Sequence, residues 1–123
     1  MKDQTMLLRQ VSPGFLREGR PSSQVFRPTP SHGFKLSVDD GDLTTAVDSW
    51  THFTADLGLQ SVGVLGVRVP ECSDEGLPCC PDPKPDNPAH ALIDFTGLKD
   101  KDIRRKGKVL LNHALERDWL YQP

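Results

Sequence analysis

Apolar residues along the chain follow two different periods. Short apolar or alternating runs of the kind that form β-strands occur at 6–11, 24–27, 35–38, 61–69 and 89–95. In two longer segments, 44–57 and 99–118, apolar residues recur every three or four positions, which predicts amphipathic helices. This order predicts one α+β domain over residues 1–123, with a small mixed β-sheet of four to five strands and two helices packed on one face.

Three elements carry more detailed expectations. The run at 61–69 is apolar on both faces, which predicts a strand in the middle of a covered sheet. In the helix at 44–57, the stripe Val47, Trp50, Thr54 and Leu57 should face the core. Gly107 lies inside the predicted terminal helix, where glycine costs about 1 kcal/mol relative to alanine, and a close helix crossing would explain it.

The segment 70–88 holds six of the eleven prolines. Because each proline removes a backbone donor, we predict an extended, acidic, proline-rich loop there, outside the sheet. Residues 1–5 are predicted to be a disordered extension.

Composition excludes several classes of protein. The chain has 123 residues, 36% hydrophobic and 26% charged, with a formal net charge of −2. This balance is typical of a globular domain and supplies no field for nucleic acid or an anionic membrane. Three cysteines are a poor disulfide framework, and the N-terminal residues contain no signal-peptide pattern, so we expect a cytoplasmic protein.

The three cysteines and one histidine are the candidate residues for a metal site. Cys72, Cys79, Cys80 and His90 could supply a Cys₃His set for zinc. The C-x₂₋₄-C spacing is absent, and adjacent cysteines do not readily chelate one ion, so no metal and no cofactor is predicted.

Arginine and hydroxyl residues near the predicted short strands suggest an anion site. Arg9 is the lone charge within "LLRQV", while Pro28 and Pro30 hold Arg27 and Thr29 extended. Arginines on rigid backbone bind anions well, and His32 at a loop tip could reach the same ligand. The predicted ligand-binding residues are Arg9, Arg27, Thr29 and His32. In the alternative interpretation, Arg9 extends to solvent from an edge strand and Arg27 pairs with Asp39 or Asp40.

Among the histidines, His90 has the most favourable position for chemistry, on a strand that follows the proline-rich segment. Asp94 lies on the same strand face, but four residues away, about 13 Å, which is too far for a catalytic pair. The alternative for His90 is a half-exposed strand residue. His52 is expected to be solvated, opposite the Val47 stripe.

Two resemblances add to this interpretation. The segments "SSQVFRPTP", "KLSVDDGD", "SVGVLGVRVPEC" and "PAHALIDF" resemble a group of small bacterial proteins of unassigned function. The order of an arginine on the first strand, a serine on a later strand and a glutamate after another strand resembles the ADP-ribosyltransferases. That resemblance implies phosphate contact by Arg9, ribose orientation by Ser37 and oxocarbenium stabilisation by Glu71.

Two hypotheses for function follow. The first is a non-catalytic accessory or interaction protein of the bacterial cytoplasm that binds a protein partner encoded nearby, with no membrane or nucleic-acid role. The alternative is a small enzyme acting on a nucleotide- or NAD-like phosphate-containing substrate, the only case in which NAD is expected. Its candidate catalytic residues are Arg9, Ser37, Glu71 and His90.

Overall fold

The computed structural model describes residues 1–123. The strands are β1 (Met6–Gln10), β2 (Leu16–Arg17), β3 (Arg20–Pro21), β4 (Lys35–Asp40), β5 (Val64–Arg68), β6 (Cys79–Pro81) and β7 (His90–Asp94). The helices are α1 (Ala46–Thr51), α2 (Val69–Ser73) and α3 (Asp100–Arg117). A π-helical turn (His52–Asp56) continues α1, and 3₁₀ turns occupy Pro13–Phe15, Ser23–Phe26 and Pro30–His32.

Five strands form one sheet in the order β5-β1-β4-β7-β6, and β2 and β3 form a separate small hairpin. The predicted α+β class and the strand number are therefore confirmed. The sheet is antiparallel rather than mixed. The helical connection does join two strands of the same direction, β4 and β5, but β1 lies between them and runs the opposite way. Every hydrogen-bonded neighbour is consequently antiparallel.

Different helices pack on the two faces of the sheet. Leu7, Leu36 and Val38 point to one face, where they pack in the main core against Ile103, Leu110, Leu111 and Ala114 of α3. The intervening positions of the same strands point to the other face, where α1 is attached through Ser49. The two main helices thus lie on opposite faces, whereas the sequence predicted both on one.

The predicted apolar stripe of the first helix holds only for Trp50 and Thr54, which are half-buried. Val47 and Leu57 are 43% and 46% exposed, and the fully buried residue of α1 is Ser49. Helix α1 therefore contributes polar contacts to the sheet rather than a second hydrophobic layer.

Strand β5 lies at the edge of the sheet rather than in its middle. The C-terminal residues explain its apolar character, since Tyr121 forms a bridge with Val64 and Leu120 lies against Gly66. A Cβ on Gly66 would also meet the Met6 sulfur at 2.8 Å. Coverage by the chain end buries both faces of an edge strand, so the apolar pattern was correct and its inferred position was not.

Two segments that the sequence assigned to loop or disorder are folded. Within 70–88, α2 precedes the short edge strand β6, and Leu77 between them is fully buried. At the start of the chain, Thr5 is buried and its Oγ1 donates to the Asp42 carboxylate. The prolines of 70–88 are compatible with this because they lie at the first turn of α2, at the sheet edge and in turns.

The segment predicted as a strand at 24–27 is a 3₁₀ turn, capped by Ser22 and burying Val25 and Phe26. Helix α3 crosses it closely at Gly107, where a Cβ would lie 2.9 Å from the Phe26 carbonyl oxygen. This crossing explains the glycine, and it fixes the turn from which Arg27 emerges.

Candidate functional site

The sheet face opposite α3 forms the floor of a cavity of about 560 Å³. Its floor comes from β1, β4 and β7, and its walls come from the segment around Arg27–His32, the π-helical turn and the segment around Lys84–Asn87. Six of the seven residues predicted as ligand-binding or catalytic line this one cavity: Arg9, Arg27, Thr29, His32, Ser37 and His90. Their role in binding stays a prediction. Glu71 is not among the lining residues.

The Arg9 side chain lies where strands β1 and β4 separate. The β1–β4 ladder ends at the pair Leu8 and Asp39, and beyond it β4 pairs only with β7. The Arg9 guanidinium fills the gap, donating from Nε to the Val25 carbonyl at 2.7 Å and from Nη1 to the Ser37 carbonyl at 2.9 Å. Burial disfavours the charged form and lowers the pKa of Arg9 to about 10. Arg9 lies on an inner strand and does not extend to solvent as in the alternative interpretation.

Arg27 is a half-buried cation without a protein partner. Its guanidinium forms no hydrogen bond and no ion pair, and its Nε is shielded from solvent. Neither suggested partner is engaged with it: Asp39 binds Ser49 and Asn87, and Asp40 accepts from the Asp42 backbone N–H. Because Arg27 ends the 3₁₀ turn in extended conformation (φ −106°, ψ 114°) and precedes a proline, its backbone is held in place.

Thr29 and His32 form a small polar group at the cavity rim. The Thr29 hydroxyl lies 3.2 Å from His32 Nδ1 and 2.9 Å from the Ser31 hydroxyl. The chain then reverses through Gly33 (φ 63°) and Phe34 (φ 58°) before entering β4. A positive φ is uncommon for a bulky residue such as Phe34. Here it turns the backbone from the cavity rim into β4, the strand that carries Lys35 and Ser37. The Ser37 hydroxyl makes no hydrogen bond within the protein.

A hydrogen-bonded chain that the sequence did not reveal links the floor to α1. Ser49 Oγ donates to Asp39 at 2.6 Å, so it must accept from Gln10 Nε2 at 3.0 Å. Asn87 Nδ2 donates to the other Asp39 oxygen at 2.9 Å. This arrangement leaves Gln10 Oε1 buried without a donor. The four residues come from four separate parts of the chain, and the strand predicted at 35–38 ended before Asp39, whereas β4 extends to Asp40.

His90 faces Asp39 across β4 and β7 and lies on the same cavity floor. Its Nδ1 is 3.0 Å from Asp82 Oδ2 and 3.1 Å from the Asp82 carbonyl oxygen. Partial desolvation raises the pKa of Asp82, but hydrogen bonds and charge from Lys84 and His90 outweigh it and hold that pKa below its ordinary value. Asp82, not Asp94, is thus the carboxylate partner of this histidine.

His52 is a lining residue that the sequence interpretation assigned to solvent. It begins the π-helical turn, its Nδ1 lies 3.0 Å from Asp56, and its Nε2 is buried, without a hydrogen bond, 3.6 Å from Asp86. Isolated π turns inside helices are often found at functional sites. The His-x₃-Asp spacing was the one available signal, since residues four apart share a helix face.

Glu71 lies on the opposite face of the sheet. Its carboxylate accepts from Arg117 at 2.8 Å and from the Arg68 backbone N–H at 2.7 Å. Burial raises the pKa of Glu71, but these hydrogen bonds and the charges of Arg117 and His113 outweigh it and hold the pKa below its ordinary value. The three positions taken from the ADP-ribosyltransferase resemblance, Arg9, Ser37 and Glu71, therefore do not converge.

The cysteines do not meet at the cavity. Cys72 is buried, Cys79 is half-buried and Cys80 is exposed, and all three are free thiols. Hydrogen bonding with Cys79, together with burial, raises the pKa of the Cys72 thiol. No group of three or more metal-binding side chains is assembled in the structure.

The cavity carries an excess of positive charge beside an apolar wall. Four of its lining residues are Lys or Arg and two are Asp: Arg9, Arg27, Lys35 and Lys84 against Asp39 and Asp86. Three of the four histidines of the chain also line it. Phe53, Leu57 and Leu59 form part of the wall, and the two leucines are 46% and 50% exposed. The arrangement suits a small ligand with one anionic and one apolar end.

Comparison with known proteins gave no relative. The sequence matches no protein-family model. A search of curated proteins returned no significant match. A search of solved structures also returned none. None of the helices has both the length and the apolar character that crossing a bilayer requires.

Proposed function

We propose that the protein binds a small phosphate-bearing organic molecule of nucleotide size in this cavity. The observation that carries the proposal is the unpartnered guanidinium of Arg27, held on rigid backbone within a site where cations outnumber carboxylates. A half-buried charge without a partner is unfavourable, and a phosphate satisfies a guanidinium through two parallel hydrogen bonds. This favours the phosphate-ligand hypothesis among the two that the sequence raised.

The rest of the cavity supports a ligand with a ring attached to the phosphate. Its volume of about 560 Å³ lies within the range of small-molecule sites. Phe53, Leu57 and Leu59 offer apolar surface on which an aromatic ring can pack. A nucleoside monophosphate or an ADP-ribose-like molecule combines both features.

The test is calorimetric titration and thermal shift with AMP, ADP-ribose, NAD and inorganic phosphate. At 100 times its Kd a ligand stabilises the fold by about 2.7 kcal/mol, which thermal shift resolves. Arg27→Ala should weaken binding roughly 10- to 150-fold, because a hydrogen bond to a charged group contributes about 1.5–3 kcal/mol. Arg104→Ala, which removes a surface ion pair with Asp100, is the matched control.

Two results would contradict the proposal. One is the absence of any shift with all four probes, and the other is equal affinity of wild type and Arg27→Ala. Arg27→Lys separates charge from geometry, since lysine keeps the charge but loses the two-pronged hydrogen bonding. We expect Arg27→Lys to recover only part of the lost affinity.

A protein partner in the bacterial cytoplasm stays a second proposal. Its support is the exposed apolar pair Leu43 and Val47, which are 67% and 43% exposed at the start of α1. The cytoplasmic setting is supported by three thiols that form no disulfide. Leu43→Asp should abolish partner capture without changing the affinity for phosphate ligands, and unchanged capture would remove the support for this surface.

A further inference from the structure

His90 has the geometry of an oriented base. The Asp82 carboxylate and carbonyl both lie within 3.1 Å of Nδ1, which fixes the proton on that nitrogen and leaves Nε2 as the acceptor. Nε2 forms no hydrogen bond and is not among the buried unpartnered atoms, so it is open to the cavity. Because His90 lies within β7 between β4 and β6, the ring is carried by a rigid element.

The available nucleophile is water rather than a side chain. The Ser37 hydroxyl lines the same cavity but is not hydrogen-bonded to His90 or to any other base. The Ser49 hydroxyl is committed, since it donates to Asp39 and accepts from Gln10. A water beside Nε2 would have its proton acceptor in place, while Arg27 would hold the phosphate of the ligand in the same cavity.

We propose that the cavity is a hydrolytic site for phosphate esters, with His90 as general base and Asp82 as its positioning residue. This inference rests on the proposed phosphate-binding function. His90 Nε2 takes a proton from water, and the water oxygen forms a new bond to phosphorus. The bond from phosphorus to the leaving oxygen breaks, its electron pair stays on that oxygen, and solvent supplies the proton. His90 then returns its proton to solvent, so one water is consumed and neither an oxidant nor a reductant is required.

The test uses the full chain with p-nitrophenyl phosphate and bis(p-nitrophenyl) phosphate. Their leaving group needs no acid from the protein, so one base is sufficient. Wild type should release nitrophenolate faster than buffer, and His90→Gln should lower kcat at least 100-fold with KM changed less than about threefold, since general bases contribute about 10²–10⁴-fold. His113→Gln is the matched control, because that histidine contacts Glu71 on the other sheet face.

Asp82→Asn tests the positioning role. It should lower kcat about tenfold, leave KM unchanged and alter the pH profile, which a purely structural residue would not do. The charged groups that face His90 are Asp82 and Lys84 from the segment after β6 and Asp39 from β4. Wild-type kcat should fall as the pH is lowered, because a protonated imidazole cannot accept a proton.

Failure of the proposed hydrolysis can be distinguished from failure of the proposed ligand binding. Equal kcat in wild type and His90→Gln, or no turnover of either substrate by wild type, would overturn the inference. In both cases the Arg27-dependent binding of AMP or ADP-ribose could still hold, because it is measured without turnover. If His90→Gln does not fold, as judged from its melting curve, the wild-type pH profile decides, and a kcat that does not fall at low pH refutes the base.

Discussion

Replacement of Gly107 by alanine tests the contact that holds the Arg27 segment in place. Gly107 lies in the middle of α3, and an added Cβ would come within 2.9 Å of the Phe26 carbonyl oxygen. The obstacle is backbone, so the helix or the Ser23–Phe26 turn must shift. Alanine gains about 1 kcal/mol in helix propensity, whereas forcing an extra methyl group into a packed contact typically costs about 1–3 kcal/mol.

The cost of the extra methyl group outweighs the gain in helix propensity, so Gly107→Ala should lower the free energy of unfolding by roughly 0–2 kcal/mol. Urea denaturation gives this value directly. Lys108→Gly is the matched control, since it places glycine at the neighbouring exposed position and should cost about 1 kcal/mol from propensity alone. A Gly107→Ala protein more stable than wild type by about 1 kcal/mol would show that propensity dominates and that the crossing is not tight.

The same substitution should also affect the cavity. Arg27 directly follows the Ser23–Phe26 turn, so a displaced turn moves its guanidinium. We expect Gly107→Ala to weaken AMP binding in calorimetry, whereas Lys108→Gly should leave the affinity unchanged. Equal affinity in both variants would mean that Arg27 is positioned by other contacts.

Two further predictions concern other parts of the fold. Glu71→Gln should lower the free energy of unfolding by about 1–2 kcal/mol at pH 7, because it weakens the charged hydrogen bonds with Arg117. Since the pKa of Glu71 is held below its ordinary value of 4.5, its contribution is complete above pH 4.5 and is lost as the pH falls through the folded-state pKa. The difference between wild type and variant should therefore shrink at pH 3 in urea unfolding, with the exposed Glu116→Gln as control, and a pH-independent difference would contradict the assignment. Deletion of residues 74–86 should unfold the protein, because it removes the fully buried Leu77 and the edge strand beside it; a native circular dichroism spectrum and melting curve after the deletion would show that this segment is dispensable.

Features that depend on neighbouring residues were predicted well. The period of 99–118 predicted α3 within one residue at each end, and the alternation at 89–95 predicted β7. The prolines after Arg27 and Thr29 implied extended backbone at both, as observed. These features are local because φ restriction and side-chain period act within a few residues.

Features that depend on which element covers which were predicted poorly. The apolar period of 44–57 indicated a helix but not that Ser49, rather than Val47, would face the sheet. The apolar run of β5 indicated burial but not that the chain end, through Leu120 and Tyr121, would provide it. A hydrophobic pattern indicates that one face of an element is buried, but it does not indicate which other element buries that face.

The residues of the candidate site also fall into two groups, those indicated by the local sequence and those identified only by long-range contacts. Arg9, Arg27 and His90 could be selected from the sequence, because a charge within an apolar strand, an arginine before a proline and a histidine on an alternating strand are local signals. Gln10 and Asn87 could not, because their roles arise from contacts to Ser49 and Asp39 between residues 39 and 48 positions apart. The sequence by itself determined the longer and more regular elements, such as β4, β7 and α3, and the chemical types of the side chains that they carry. Only the tertiary structure decided which side chains share a cavity, since strand order and helix placement depend on long-range packing that no local period encodes.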